Sequence, residues 1–181
     1  MANPRRAYHH GDLRSALLEV ARSLVLTKGP RAFSLTEAAR LVGVTHAAPY
    51  RHFTSADAML AALGQDALTE LVPLLRAAAQ TPEPAPALAR ALLSFAAARP
   101  QDLDTFNLAG LQHTDHPGLK AAGAACFGVM AEALGDPGRA AALWSLAHGA
   151  ATLARRGAFE ALVPDDALLT AVEEAARRIG A

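Results

Sequence analysis

The stretch SLTEAARLVGVTHAAPYRHF, residues 34–53, holds two short apolar patterns separated by a glycine. Ser34 followed three residues later by Glu37 has the spacing of a capping box, in which two orphan amides are satisfied reciprocally at a helix start. The helix so begun is short, because Gly43 follows Leu41–Val42 and supplies the positive φ of a tight turn. Val44 is placed to bury at the elbow, Thr45 to cap a third helix, and Ala39 to let that helix approach closely. Two short helices joined by such a turn form a helix-turn-helix.

The third helix contains Pro49, only four residues beyond its expected cap. A proline there removes about one backbone bond, well short of the roughly 3 kcal/mol it costs in mid-helix. A helix of about two turns is therefore expected, with Val44, Pro49 and Phe53 inward and Thr45, His46, Ala47, Tyr50, Arg51 and His52 outward. Thr45, Tyr50 and His52 can donate to phosphates, and Arg51 suits a phosphate or a guanine edge. His46 and Ala47 occupy the N-terminal end, where recognition helices meet bases. Ser34 and Thr36, at the start of the preceding helix, complete the expected DNA-facing set. Each residue alone has a plainer reading: Tyr50 half-buried, His52 packed between helices, Arg51 a solvated charge.

On either side the pattern stays helical. Leu13, Leu17, Val20, Ala21 and Leu24 form one stripe of a first helix over residues 11–28, ended by Lys28, Gly29 and Pro30. A long fourth helix starts at Ser55, and Leu60, Leu63, Ala67, Leu71, Leu74 and Ala78 continue one face to about Ala79. QTPEPAP, residues 80–86, breaks it with three prolines. Further helices are expected at 86–98, 101–112, 116–134, 138–156 and 165–179, about nine in all, with no strand pattern. The composition agrees: 52% of residues are hydrophobic but only 5% aromatic, so Ala and Leu, good helix formers, carry the apolar content. An all-α chain results, divided at residues 1–54 and 55–181.

Net charge is zero but unevenly spread, since residues 1–55 carry eight basic and three acidic side chains. A basic first third suggests a polyanion partner at that end. No uninterrupted apolar run reaches the roughly 18 residues that span a bilayer. MANPRRAYHHGDL has charge with no apolar segment behind it, so no secretory signal is expected. Cys126, the single cysteine, cannot form an internal disulfide and reads as a small buried residue, consistent with a cytoplasmic protein.

Residues 34–60, SLTEAARLVGVTHAAPYRHFTSADAML, resemble the helix-turn-helix of the tetracycline-repressor (TetR) family of bacterial regulators, and YHHGDLRSALLEVARSLV in front is similar to its first helix. LWSLAHGAATL at 143–153 resembles the C-terminal domain of a branch with a Trp-His-Gly signature. The resemblance implies a homodimer on a palindromic double-stranded DNA operator, with a C-terminal domain that dimerises and holds a small-molecule inducer. One departure stands out: the family usually has a lysine where this chain has Ala56. Losing a phosphate contact weakens binding and flattens its salt dependence by nearly one unit of slope per subunit. Arg5 and Arg6 are placed to compensate.

In the C-terminal part, Leu143, Ala147, Ala150, Ala151 and Ala154 form one face, and Leu168, Val172, Ala175, Ala176 and Ile179 another. Paired with their copies, these would make a four-helix dimer interface; packed within one chain, they would be core. Trp144 and His148 share a face. With Phe95, Phe106, Leu111, Phe127 and Met130 they are the pocket candidates, or else core. His113, Asp115 and His116 have metal-ligating side chains but lack one-helix spacing, so no metal is expected. No cofactor loop or catalytic constellation is present, and the favoured reading is a ligand-released repressor without enzymatic activity. A helical dimer that has lost operator binding is the alternative, motivated by Ala56.

Overall fold

The computed structural model describes residues 10–100 and 116–181, with side chains from Leu13 onward apart from Asp165. Among these residues it is all-helical: α1 (His10–Lys28), α2 (Leu35–Val42), α3 (Ala56–Ala79), α4 (Pro84–Ala98), α5 (Pro117–Leu134), α6 (Pro137–Arg155) and α7 (Asp165–Gly180), with 3-10 turns at Pro30–Ala32 and Pro49–Arg51. Seven α-helices stand where nine were expected. One of the nine, at 101–112, lies outside the described residues. The third helix is a 3-10 turn instead.

Local chemistry explains most boundaries. Gly29 (φ 78°) ends α1, its amide donating to the Val25 carbonyl at 2.9 Å. Gly43 (φ 81°) ends α2, and the Val44 amide reaches back to the Ala39 carbonyl at 3.0 Å, the long bond of a Schellman turn. Ser55 caps α3 by accepting from the Ala58 amide at 3.0 Å, and Asp136 caps α6 by accepting from the Arg139 amide at 2.8 Å. Pro84 and Pro86 fall in the first turn of α4 rather than in the break before it. Amides there have no intrahelical acceptor, so the prolines forfeit nothing.

The expected capping box at Ser34 does not form. Ser34 is the N-cap of α2 by backbone angle, but its hydroxyl makes no capping bond. The Glu37 carboxylate accepts instead from Lys28 Nζ at 2.6 Å, tying α2 to the end of α1.

Two apolar cores share α3. Leu17, Leu18, Ala21, Leu24 and Val25 of α1 meet Leu35 and Ala38 of α2, Phe53, and Met59, Leu60 and Leu63 of α3. Leu71, Leu75 and Ala78, further along α3, meet Leu88 of α4, Cys126 and Met130 of α5, Leu143 of α6, and Val172 and Ala176 of α7. The α3 stripe differs from expectation in one place: Leu75 is fully buried while Leu74 is 48% exposed. Pro73 lies between Leu71 and this pair without interrupting the helix. By length and composition α3 is apolar enough to cross a membrane, but half of that window is buried against the other helices, as in a core helix.

The two stripes proposed for a dimer interface are largely used inside the chain. Leu143, Ala147 and Ala150 of α6 and Val172 and Ala176 of α7 are all buried. Glu173 of α7, 8% exposed, lies beside them with Oε1 2.6 Å from Arg90 Nε of α4, an ion pair whose angles fall short of a hydrogen bond.

Candidate nucleic-acid interface and ligand cavity

Between α2 and α3 the chain makes one turn closed by the Ala48 amide on the Thr45 carbonyl (3.0 Å), then the 3-10 turn. The His52 and Phe53 amides both donate to the Pro49 carbonyl at 2.9 Å. Pro49 has no amide to return to Thr45, which removes the first i→i−4 rung of the expected α-helix. Thr45 therefore caps no α-helix. Pro49 and Phe53 are buried and anchor the segment, and the Arg14 guanidinium lies 5.5 Å from the centroid of the Phe53 ring.

This anchoring turns Thr45, His46, Ala47, Tyr50 and Arg51 outward. All are exposed, Tyr50 by 56%, a high value for a tyrosine with no structural task in the core. Thr36 is exposed on α2, and Ser34 is half-buried. His52 differs from the rest: it is half-buried, its ring 6.5 Å from that of Phe53, and its Nε2 is buried without a hydrogen-bond partner among the described residues. Ala56, at the position of the expected lysine, is half-buried against the first core.

In the larger helical part, Phe95, Trp144 and His148 line a partly open cavity of about 30 Å³ together with Leu71 of α3 and Arg99. Trp144 and His148 also line a neighbouring hollow of about 340 Å³, with Phe127, Leu68 and Gly123. Burial lowers the His148 pKa below its usual 6.5, leaving a neutral imidazole at pH 7. Met130 is fully buried and lines neither space, so it is core rather than pocket wall. Phe106, Leu111, His113 and Asp115 lie outside the described residues. Among the residues described, no group of three His, Cys, Asp or Glu side chains is arranged to hold a metal, His116 included.

Sequence patterning missed Leu71 and Arg99 as cavity residues. Leu71 was legible as an inward α3 residue but not as one facing this space. Arg99, just beyond α4, gave no periodic signal at all.

An exposed, anchored helix-turn-helix carried on a long helix that enters a second helical core defines a DNA-binding regulator of the bacterial type. Residues 17–63 match the bacterial regulatory protein family named for TetR, and residues 85–178 match the tetracyclin repressor-like C-terminal domain. The chain belongs to the TetR family of transcription regulators, which are DNA-binding proteins and not enzymes. It is 31% identical to a protein of unknown function from Rhodococcus sp. RHA1, over 96% of this chain and 98% of that one, with a TM-score of 0.76. It is 25% identical to the protein SCO4313, covering 98% of both chains with a TM-score of 0.78. A TetR-family regulator from Streptomyces coelicolor A3 shares the fold, at 20% identity, 99% coverage of both chains and a TM-score of 0.62. No curated protein matches the chain.

Proposed function

We propose that the chain is a cytoplasmic, homodimeric repressor of a palindromic operator, released by a small-molecule inducer. Residues 1–54 form its DNA-binding part and residues 55–181 the part that dimerises and binds ligand. The observation that carries this reading is the double role of α3. Its first half packs the helix-turn-helix through Met59, Leu60 and Leu63, and its second half lines the cavity through Leu71. A ligand that binds two arrangements of this helix with different affinity shifts the spacing of the two DNA-binding ends.

Thr45, His46, Ala47, Tyr50 and Arg51 meet the operator, with Thr36, Ser34 and His52 supporting from the edges. Dimerisation runs through α6 and α7 by their outer faces. On α6, Ala142, Leu146, Gly149 and Leu153 follow one another at helical spacing and are half-buried to exposed. An added Cβ at Gly149 would meet nothing within 4 Å in the single chain, which leaves room for close approach of a second copy.

Selection of bound duplexes from a random library tests the reading. Enrichment of an inverted repeat by the wild type, lost in Tyr50→Ala plus Arg51→Ala, is the expected result. A folded dimer that enriches nothing would instead favour a ligand-binding or protein-interaction dimer without an operator. The specific observation on that side is Ala56, which offers the DNA backbone no charge at the start of α3.

A further inference from the structure

Glu70 lies on α3, beyond the part that packs the helix-turn-helix, and its carboxylate lies between two arginines, Arg22 of α1 and Arg99 just beyond α4. Oε2 accepts from Arg99 Nη2, and Arg99 lines the cavity. Oε1 lies 4.0 Å from Arg22 Nη2 of α1, whose other acidic neighbours are Asp66 at 3.6 Å and Glu19 at 3.9 Å. The two contacts are unequal. Arg99 holds Glu70 closely, whereas the distance to Arg22 is too long for a hydrogen bond, and Arg22 Nε is buried with no hydrogen-bond partner among the described residues.

The cavity itself favours one ligand chemistry. Its walls at Leu71, Leu92, Phe95 and Trp144 are apolar, and the neutral imidazole of His148 adds no charge. The charge among its described lining residues is the Arg99 guanidinium, lying 5.4 Å from the centroid of the Phe95 ring. A guanidinium beside an aromatic face, at one end of an apolar space, fits a planar carboxylate on an apolar body. The space beside Arg99 is itself about 30 Å³, so the ligand body would have to move the Trp144 and His148 side chains and extend into the 340 Å³ hollow on their other side. That size lies within the range of small-molecule sites.

We propose that the inducer is an apolar carboxylate, aryl or medium-chain, whose head group displaces Glu70 from Arg99, and that the released Glu70 closes on Arg22. This rests on the inducer reading above and gives it a route. When a ligand carboxylate takes Arg99, Glu70 loses its near partner and gains its far one. The tie between α1 and the middle of α3 tightens as the tie between α3 and the end of α4 is lost. The helix-turn-helix then sits differently on α3 without any ligand contact of its own.

Trp144 is the single tryptophan of the chain and lines the cavity, so its fluorescence reports occupancy. The probes are octanoate, phenylacetate and 4-phenylbutyrate, each beside its uncharged primary amide. The wild type is expected to bind at least one acid about tenfold or more tighter than its amide. Arg99→Gln should remove that preference and Arg99→Lys should keep part of it. Glu70→Gln should tighten acid binding several-fold, because Arg99 no longer gives up a charged partner. The coupling is read separately, as the acid's effect on binding to the selected duplex. Arg22→Gln should bind the acid more weakly than the wild type, because the released Glu70 gains no second partner, and at saturating acid it should lose most of the acid's effect on DNA.

Equal binding of acids and amides, or no binding of any probe at millimolar concentration, overturns the carboxylate assignment. An Arg22→Gln protein whose DNA response matches the wild type overturns the Glu70 route. Either outcome in a protein that still binds its duplex leaves the regulator reading intact, whereas failure to bind any duplex strikes that reading itself.

Discussion

Trp144 and His148, one turn apart on α6, lie with their rings nearly parallel, 9° between planes and 6.4 Å between centroids, and both face the cavity and the hollow beside it. Desolvation lowers the His148 pKa below 6.5, so the folded state disfavours the imidazolium. The sign of the linkage follows: below pH 6.5 the unfolded chain takes up this proton more readily than the folded one. Stability should therefore fall on acidification through that window and be restored as pH rises past 6.5. Denaturant melts of wild type and His148→Gln at pH 7.5 and 5.5 check this, with a smaller acid loss expected in the variant. Trp144 fluorescence should change over the same range, since protonation places a charge beside the indole.

Arg51 is exposed next to a buried proline anchor, so its replacement should leave folding intact. Arg51→Ala is expected to weaken operator binding and to reduce the slope of log K against log salt by about one per subunit. Ala56→Lys should act in the opposite direction, raising affinity and steepening the slope by a similar amount. Titrations of the selected duplex at several salt concentrations measure both. An unchanged slope in Arg51→Ala would remove this residue from the phosphate contacts.

Two serines at helix starts should behave differently. Ser55 accepts a hydrogen bond from the Ala58 amide, and Ser55→Ala should cost about 1 kcal/mol of stability. Ser34 makes no such bond, so Ser34→Ala should be close to neutral for stability while still testing its place in the DNA-facing set. Thermal melts of the two variants side by side decide the point.

Cys126 is completely buried, its Sγ 3.3 Å from the Leu68 carbonyl of α3, and burial pushes its thiol pKa from 9.0 up to about 11. A thiol reagent at pH 8 should leave the native protein unmodified and label it only as it unfolds. Above pH 9 the unfolded chain loses this proton first, so stability should decline from there toward pH 11. Rapid labelling under native conditions would contradict the packing of α5 on α3.

In the second core, Leu75 and Met130 are both fully buried. Leu75→Ala and Met130→Ala should each cost roughly 2–5 kcal/mol, whereas Leu74→Ala, at a site 48% exposed, should cost far less. Urea unfolding of the three variants measures the contrast, and it separates the two readings of the α3 stripe directly.

Helix positions were legible from residues 34–60 and from the stripes around them because their causes are local. Apolar spacing, Gly29 and Gly43 at positive φ, and a serine or aspartate ahead of a helix act within a few residues of one another. The exposed side of the turn was legible for the same reason, with Pro49 and Phe53 inward and Tyr50 and Arg51 outward. Even the 3-10 turn has a local cause in the missing amide of Pro49, although the expected two-turn helix underestimated it.

Other features depended on what distant segments bring near. Glu37 had two possible partners, the amide at its own helix start and Lys28 on α1, and the packing of α2 on α1 settled the competition. The α6 and α7 stripes read first as a dimer interface and only second as core, and the packing of α3, α4 and α5 buries most of them within the chain. Met130 and Phe127 carried the same apolar signal, yet one is core and the other lines a hollow. Glu70 meets Arg22 and Arg99 only because three helices converge there, and no spacing along the chain encodes a charge partner. The sequence alone thus determined most of the helices described, through forces that act within a turn or two, and carried the family's pattern in residues 34–60. Three-dimensional packing determined the partners, because burial and charge pairing depend on which segments are neighbours in space.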